Sequence, residues 1–438
     1  MTQDKDKMAK REDFLAFMNR SVSNFLAVDT IVSRLRDAGF QELRETDPWA
    51  VKPGSRCYVV KNGTAVVAFV AGSDPAAGFR IVAAHSDSPG FRVKPHPEMR
   101  CGALGDSQLV KLNTEVYGGV IYHTWFDRPL GLSGRVVLRS EDPVFAPRHC
   151  TVRIDEPRLV IPHLAIHFKR DVNSSLSLSA QKDMLPVLGY VDGCLQGTVA
   201  RIVASHLGVS PDDILDFDLT LFDIQPAEMV GADSSWVNCG RLDDLSMAYC
   251  ALDAVIAAVP GRQTQVMAVF DNEETGSGTK QGAHSPMLRN VLRRVVSSLG
   301  GHGEEFMRAV AGSFFISADC AHAAHPNYME KMDPVNHPVL GGGPVIKVNA
   351  NCKYMTDADS AAAFKWLCRE AGVPCQEFVN HSDSPGGSTL GNILTGQLDM
   401  RGVDMGIGLW AMHSVRETVS FDDVLYTMQV FTQFFNRQ

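Results

Sequence analysis

Four segments of this chain share one design. FRIVAAH (79–85), QVMAVFDNEE (265–274), SFFISAD (313–319) and RGVDMGIGLWAMH (401–413) each run through apolar residues. Each then reaches polar side chains: His85; Asp271, Glu273 and Glu274; Asp319; and His413. Continuous apolar runs of this kind predict strands buried on both faces. Helix-like stretches separate several of them, at 244–258 (DLSMAYCALDAVIAA), 359–371 and 421–436. Strands alternating with helices predict an α/β fold with a mostly parallel central sheet covered on both faces. Ligands bind such sheets beyond the carboxyl ends of the strands, where side chains distant in sequence converge.

Other stretches fill in the organisation. Phe14 to Leu35 has helical apolar spacing and predicts one amphipathic helix. CYVVKNGTAVVAFVAG (57–72) predicts a hairpin turning at Asn62-Gly63. From about 95 to 232 the pattern changes to short β-like runs, including GRVVLRS, HCTVRID and PRLVIP. We read 95–232 as a β-rich domain inserted into a catalytic-type domain made of 1–94 and 233–438.

Composition narrows the function classes. A chain of 438 residues that is 45% hydrophobic and 21% charged has room for two domains and a sizeable core. A net charge of −9 argues against nucleic acid or an anionic membrane surface as partner. The charged start MTQDKDKMAKRED predicts no signal peptide. The apolar runs are too short to span a bilayer. Ten cysteines without a CxxC predict a reduced, cytoplasmic protein.

The polar strand ends carry the chemistry. A histidine ligand needs an acceptor on its second ring nitrogen, and Asp87, two residues after His85, can supply one. Taken alone, this HxD is more often a turn aspartate beside a structural histidine. In DNEETGSGTK (271–280), Glu273 and Glu274 are adjacent and so point in different directions on an extended segment. One can bind a metal while the other faces a water; the bland reading is a solvated acidic turn. The run lacks the spacing of a phosphate loop. In GRLDDLS (240–246), either Asp243 bridges two metals or one of Asp243 and Asp244 caps a helix. Together His85, Asp243, Glu274, Asp319 and His413 supply the nitrogen and carboxylate donors that zinc takes. They are enough for two ions sharing one carboxylate. Glu273 is then left as a general base.

At this point the sequence resembles a known family. AAHSDSPGFRVKP, YGGVIYHTWFDRPL, IPHLAIHF, GRLDDLS, DNEETGSGTKQGA, SADCAHAAHPNY, GGPVIKVN and AMHSVRE occur in order from about residue 80 to 417. Together they resemble the M18 metallopeptidases, the aspartyl aminopeptidases. The resemblance implies a co-catalytic zinc aminopeptidase, with manganese or cobalt as possible substitutes. One zinc would take His85, Asp243 and Asp319; the other would take Asp243, Glu274 and His413. Asp87 would stand behind His85, and Glu273 would act as base. The inserted domain would be a dimerisation domain and the assembly a dodecamer. His167 would reach a neighbouring subunit's site. His322 and His167 would position substrate or stabilise the oxyanion. Lys347 would meet the acidic side chain of an N-terminal Asp or Glu, and Tyr354 would join the substrate contacts.

HSDSPG occurs twice, at 85–90 and 381–386. By the resemblance the first copy is the metal loop. The second is a glycine-rich substrate loop in which His381 is no ligand. The chain departs from the family's common pattern at Gly386, where Cys is frequent, and at Asp244, where Asn is. Two rival readings use the same residues: another dinuclear amidohydrolase, and a scaffold with a vestigial site.

Overall fold

The computed structural model describes residues 2–437. Met1 and Gln438, the outer ends of the expected catalytic-type domain, lie outside the described residues. The chain divides into two compact units: Met1–Asp87, Ala227–Met412 and Glu417–Gln438 in one, Ser88–Pro226 and His413–Arg416 in the other.

The first unit is built on a nine-stranded mixed sheet. Its centre runs Thr264–Phe270, Phe79–His85, Phe314–Ala318, Arg401–Gly406, all mutually parallel. The period-2 alternation of each strand decides which face a residue joins. Val82 and Ala84 pack into one core layer, and Phe79, Ile81 and Ala83 into the other. Met267 and Val269 likewise oppose Val266, Ala268 and Phe270. The helices Leu242–Ile256, Ala358–Ala371 and Phe421–Asn436 cover the first layer. Met287–Ser298 and Gly303–Ala311 cover the second. Both faces are thus dry, which is why these strands read as unbroken apolar runs. The hairpin Arg56–Lys61 with Ala65–Val70 turns at Asn62 and Gly63, at φ 57° and 74°.

Two local expectations are corrected. Phe14–Leu35 is not one helix but parts of two, Thr2–Arg20 and Asn24–Asp37. Ser23 is extended and its hydroxyl accepts the N–H of Leu26, so a new helix starts there. The run 401–413 is not one strand either. Arg401–Gly406 belongs to the central sheet, and Gly408–Trp410 belongs to a separate five-stranded sheet. A side chain at Gly406 would lie 1.9 Å from the carbonyl oxygen of Asp319, so the chain passes closely there and then leaves the sheet.

The second unit is a six-stranded sheet, antiparallel throughout. Its strands are Gly90–Leu104, Ser107–Tyr117, Leu130–Leu138, Arg148–Leu159, Val187–Val191 and Ile214–Asp223. The helix Thr198–Leu207 buries Val199 and Val203 in its core. Gly197 and Gly208 bound that helix at φ 73° and 68°, the left-handed region that glycine enters without strain.

Candidate metal centre

Parallel register brings the polar ends together. Phe270 pairs with His85, and Ala318 pairs with Met405. The residues that follow therefore leave the sheet at one edge: Asp87, Glu273 and Glu274, and Asp319.

His85 is 1% exposed. Its backbone N–H donates to Asp244 Oδ2 at 3.1 Å. Its Nδ1 lies 3.0 Å from the carbonyl oxygen of Asp87 and 3.4 Å from Asp87 Oδ1. Nε2 is 3.5 Å from Asp243 Oδ1. A proton on Nδ1 donated to the Asp87 carbonyl leaves Nε2 as the ligand nitrogen. The carboxylate of Asp87 also accepts the N–H groups of Glu273 and Glu274, both at 3.1 Å. One aspartate therefore steadies the histidine and the acidic turn.

That turn is tight. Asn272 and Gly276 flank Glu273–Thr275 at φ 61° and 89°. Burial, and next the charge of Asp319, push Glu273 up to about 8. Burial, and next Asp243, push Glu274 well above the usual carboxylate range.

Asp243 and Asp244 open the helix Leu242–Ile256, joined by a cis peptide, and both have non-helical backbone angles. Both are buried. The N–H of Asp243 donates to Glu417 Oε2 at 3.0 Å. Burial raises Asp244, with Asp319 and Asp243 adding to it and His85 opposing. Asp319 donates its N–H to the Met405 carbonyl at 2.9 Å and accepts Lys347 Nζ at 3.1 Å.

Lys347 is also buried, and it bonds the Cys320 carbonyl at 3.0 Å and lies 5.5 Å from the centre of the Tyr354 ring. Burial lowers its pKa, but Asp319, Tyr354 and Asp404 together outweigh this and keep it raised. Lys347 thus backs Asp319, with the Tyr354 ring beside the ammonium. His322 is exposed, with its ring 5.9 Å from that of Phe378.

His413 falls in the second unit. It is held at φ 68°, with Nδ1 3.0 Å from the carbonyl oxygen of Gly119. A side chain at Gly119 would stand 2.9 Å from that nitrogen. His167 is exposed in the second unit. His381 lies in a partly exposed turn, where its Nδ1 accepts the N–H of Asp383 at 3.2 Å.

The donor set fits a metal. His85, Asp243, Asp244 and Asp319 each offer one ligand atom within 4.8 Å of the others, and so do His85, Glu273 and Glu274. Asp243 and Glu274 offer carboxylate oxygens at the same limit. Buried carboxylates this close repel one another, and a divalent cation offsets that repulsion. Two positioning residues escaped sequence reasoning. Glu417 holds the backbone of Asp243, and the Gly119 carbonyl holds His413. Both lie in the motif stretches AMHSVRE and YGGVIYHTWFDRPL, but nothing local distinguishes them.

An α/β unit whose central strands are parallel, carrying a His/Asp/Glu cluster at their ends with the histidine and aspartates buried, defines a metallohydrolase-type centre. Comparison with known proteins makes this specific. Residues 17–435 match the family described as Aminopeptidase I zinc metalloprotease (M18), and the chain belongs to that family. It is 45% identical over 436 residues to a probable M18 family aminopeptidase 2 of Clostridium novyi (strain NT), covering 99% of this chain and 100% of that one. Among solved structures, it resembles one described as the Ape4 and Nbr1 complex, with 35% identity and a TM-score of 0.92. That match covers 98% of this chain and 86% of the other. It also resembles the S. cerevisiae mApe1 dodecamer, with 25% identity, a TM-score of 0.83 and coverage of 97% and 95%. The protein is a zinc metalloaminopeptidase by family.

Proposed function

We propose that this enzyme uses two zinc ions to remove an N-terminal Asp or Glu from peptides. The observation that carries the reading is the buried cluster of His85, Asp243, Asp244 and Asp319, with half-buried Glu273 and Glu274 grouped on the same histidine. One ion would be held by His85, Asp243 and Asp319, the other by Asp243, Glu274 and His413. Bound zinc supplies Lewis acidity toward the scissile carbonyl, a charge that acidifies water, and an anchor for the free α-amino group.

The chain's own residues do the rest. Glu273 accepts the proton of the attacking water on its carboxylate and passes it to the leaving amine. Asp87 keeps Glu273 in place through its backbone N–H. Lys347 uses two of its three N–H donors on Asp319 and Cys320. Its third meets the substrate's acidic side chain, beside Tyr354. His322 positions substrate from the rim.

The proposal extends to assembly. The similar mApe1 structure is described as a dodecamer. Leu164, Ile166 and Phe168 are 55%, 50% and 80% exposed around His167, a pattern suited to burial by another copy. His167 would then serve a neighbouring subunit's site. Among the described residues no helix is long and apolar enough to cross a membrane. We place the protein in the cytoplasm on its cysteine pattern.

The test is a panel of peptides differing only in their first residue, given to enzyme reconstituted with zinc, manganese or cobalt. Cleavage should need a free α-amine and favour Asp or Glu. Equal cleavage of N-acetylated peptides would instead identify another amidohydrolase.

A further inference from the structure

The central strands have a second edge. Arg80 is the second residue of the strand that ends at His85. Phe314 starts the strand that leads to Asp319, and Arg401 starts its parallel neighbour. All three line a cavity of about 1070 Å³, together with Trp366, Phe435 and Arg437. This cavity opens at the amino ends of the strands. The metal cluster lies at their carboxyl ends, a strand length away, or ~20 Å for seven residues.

The walls combine flat apolar surface with positive charge. Arg437 lies 3.9 Å from the centre of the Trp366 ring, and Arg401 lies 5.7 Å from that of Phe314. Arg401 and Arg262 are neutralised by Asp359 at 2.6 Å and Asp74 at 2.9 Å. Arg80 and Arg437 have no carboxylate partner among the described residues. Arg80 donates from Nε to Gln263 Oε1 at 2.8 Å and from Nη1 to the carbonyls of Phe434 and Phe435 at 3.1 and 2.8 Å. Its Nη2 bonds none of the described residues. Burial, and then the charge of Arg437, hold Arg80 below the ordinary guanidinium range. Two guanidinium groups that line one cavity, with no carboxylate partner among the described residues, are relieved by an anion that both can reach.

We propose that this cavity binds a small dianion carrying a flat apolar group. Arg80 Nη2 and Arg437 take the charge, and Trp366 and Phe314 take the flat group. A phosphate monoester and an aromatic dicarboxylate share this chemistry.

Isothermal titration of the metal-loaded full chain with phenyl phosphate and with phthalate tells the two apart, and inorganic phosphate is the control without a ring. We expect one saturable site per chain for at least one of the two aromatic ligands. That ligand should bind at least tenfold more weakly to Arg437→Gln and to Trp366→Ala, while both variants cleave peptides at the wild-type rate. Absence of saturable binding overturns the proposal. So does equal affinity in both variants, or loss of binding in His85→Ala with retention in Arg437→Gln, which would place the ligand at the metal cluster. Inorganic phosphate binding as tightly as the aromatic ligands also overturns it, because the ring would then contribute nothing. None of these outcomes bears on the proposed peptidase reaction.

Discussion

His85 and His381 begin the same hexapeptide, and their surroundings separate them. His85 ends a buried strand among five carboxylates, those of Asp243, Asp244, Asp319, Glu273 and Glu274. His381 sits in a turn with its side chain 32% exposed. His85→Ala should lower zinc to about one ion per chain, since a two-metal site loses one ligand set, and should abolish turnover. His381→Ala should leave zinc content unchanged. Equal loss in both variants, read by elemental analysis, would refute the assignment. Glu273→Gln preserves shape and the backbone bond to Asp87 but removes the base. Turnover should fall by ~10²-fold or more with zinc and melting temperature kept; retention of over about a tenth of the rate would contradict that role. Gly119→Ala tests a residue no motif singles out. Its new carbon would crowd His413 Nδ1 at 2.9 Å and disturb the carbonyl that fixes the ring. Zinc content should drop with the fold intact; an unchanged zinc stoichiometry would count against His413 as a ligand.

At the scale of elements, ends matter more than middles. The helix Ala358–Ala371 starts with a capping box, in which Asp357 Oδ1 accepts the Ser360 N–H at 2.8 Å and Ser360 Oγ accepts the Asp357 N–H at 3.0 Å. Asp357→Ala should cost about 1 kcal/mol in urea unfolding and leave kcat unchanged. A loss within error of zero would show that the helix is held by its packing alone. Sequence reasoning found this helix, the hairpin and the strands because their signals are local: apolar pattern, and Asn-Gly at a turn. It joined Thr2–Arg20 to Asn24–Asp37 because apolar spacing continues across the break at Ser21–Ser23. It ran 401–413 into one strand because Gly406 and Gly408 look like tolerated glycines until their neighbours are known.

For the whole molecule, the proposed role of His167 makes activity a property of the assembly. His167→Ala should keep oligomer size and zinc but turn over poorly. Co-expressing it with Glu273→Gln should restore some activity, because mixed assemblies contain sites with an intact Glu273 from one subunit and an intact His167 from another. If mass measurement confirms mixed oligomers and no activity returns, His167 is a structural residue of its own unit. The same logic holds for Lys347. Lys347→Met should raise KM for Asp-peptides if the ammonium meets substrate, and should lower zinc content if the ammonium chiefly holds Asp319.

The amino-acid sequence by itself determined the α/β class and the short motifs that belong to the M18 family. Each is written in local periodicity or in runs of a few residues, and needs no knowledge of what packs against what. The tertiary structure alone decided three things. It tied Lys347 to Asp319, it gave the backbone of Asp243 to Glu417, and it placed His413 in the second unit against the Gly119 carbonyl. These contacts join residues 28, 174 and 294 positions apart. Strand register and chain crossings set such distances, and a side chain's own neighbours in sequence carry no information about them.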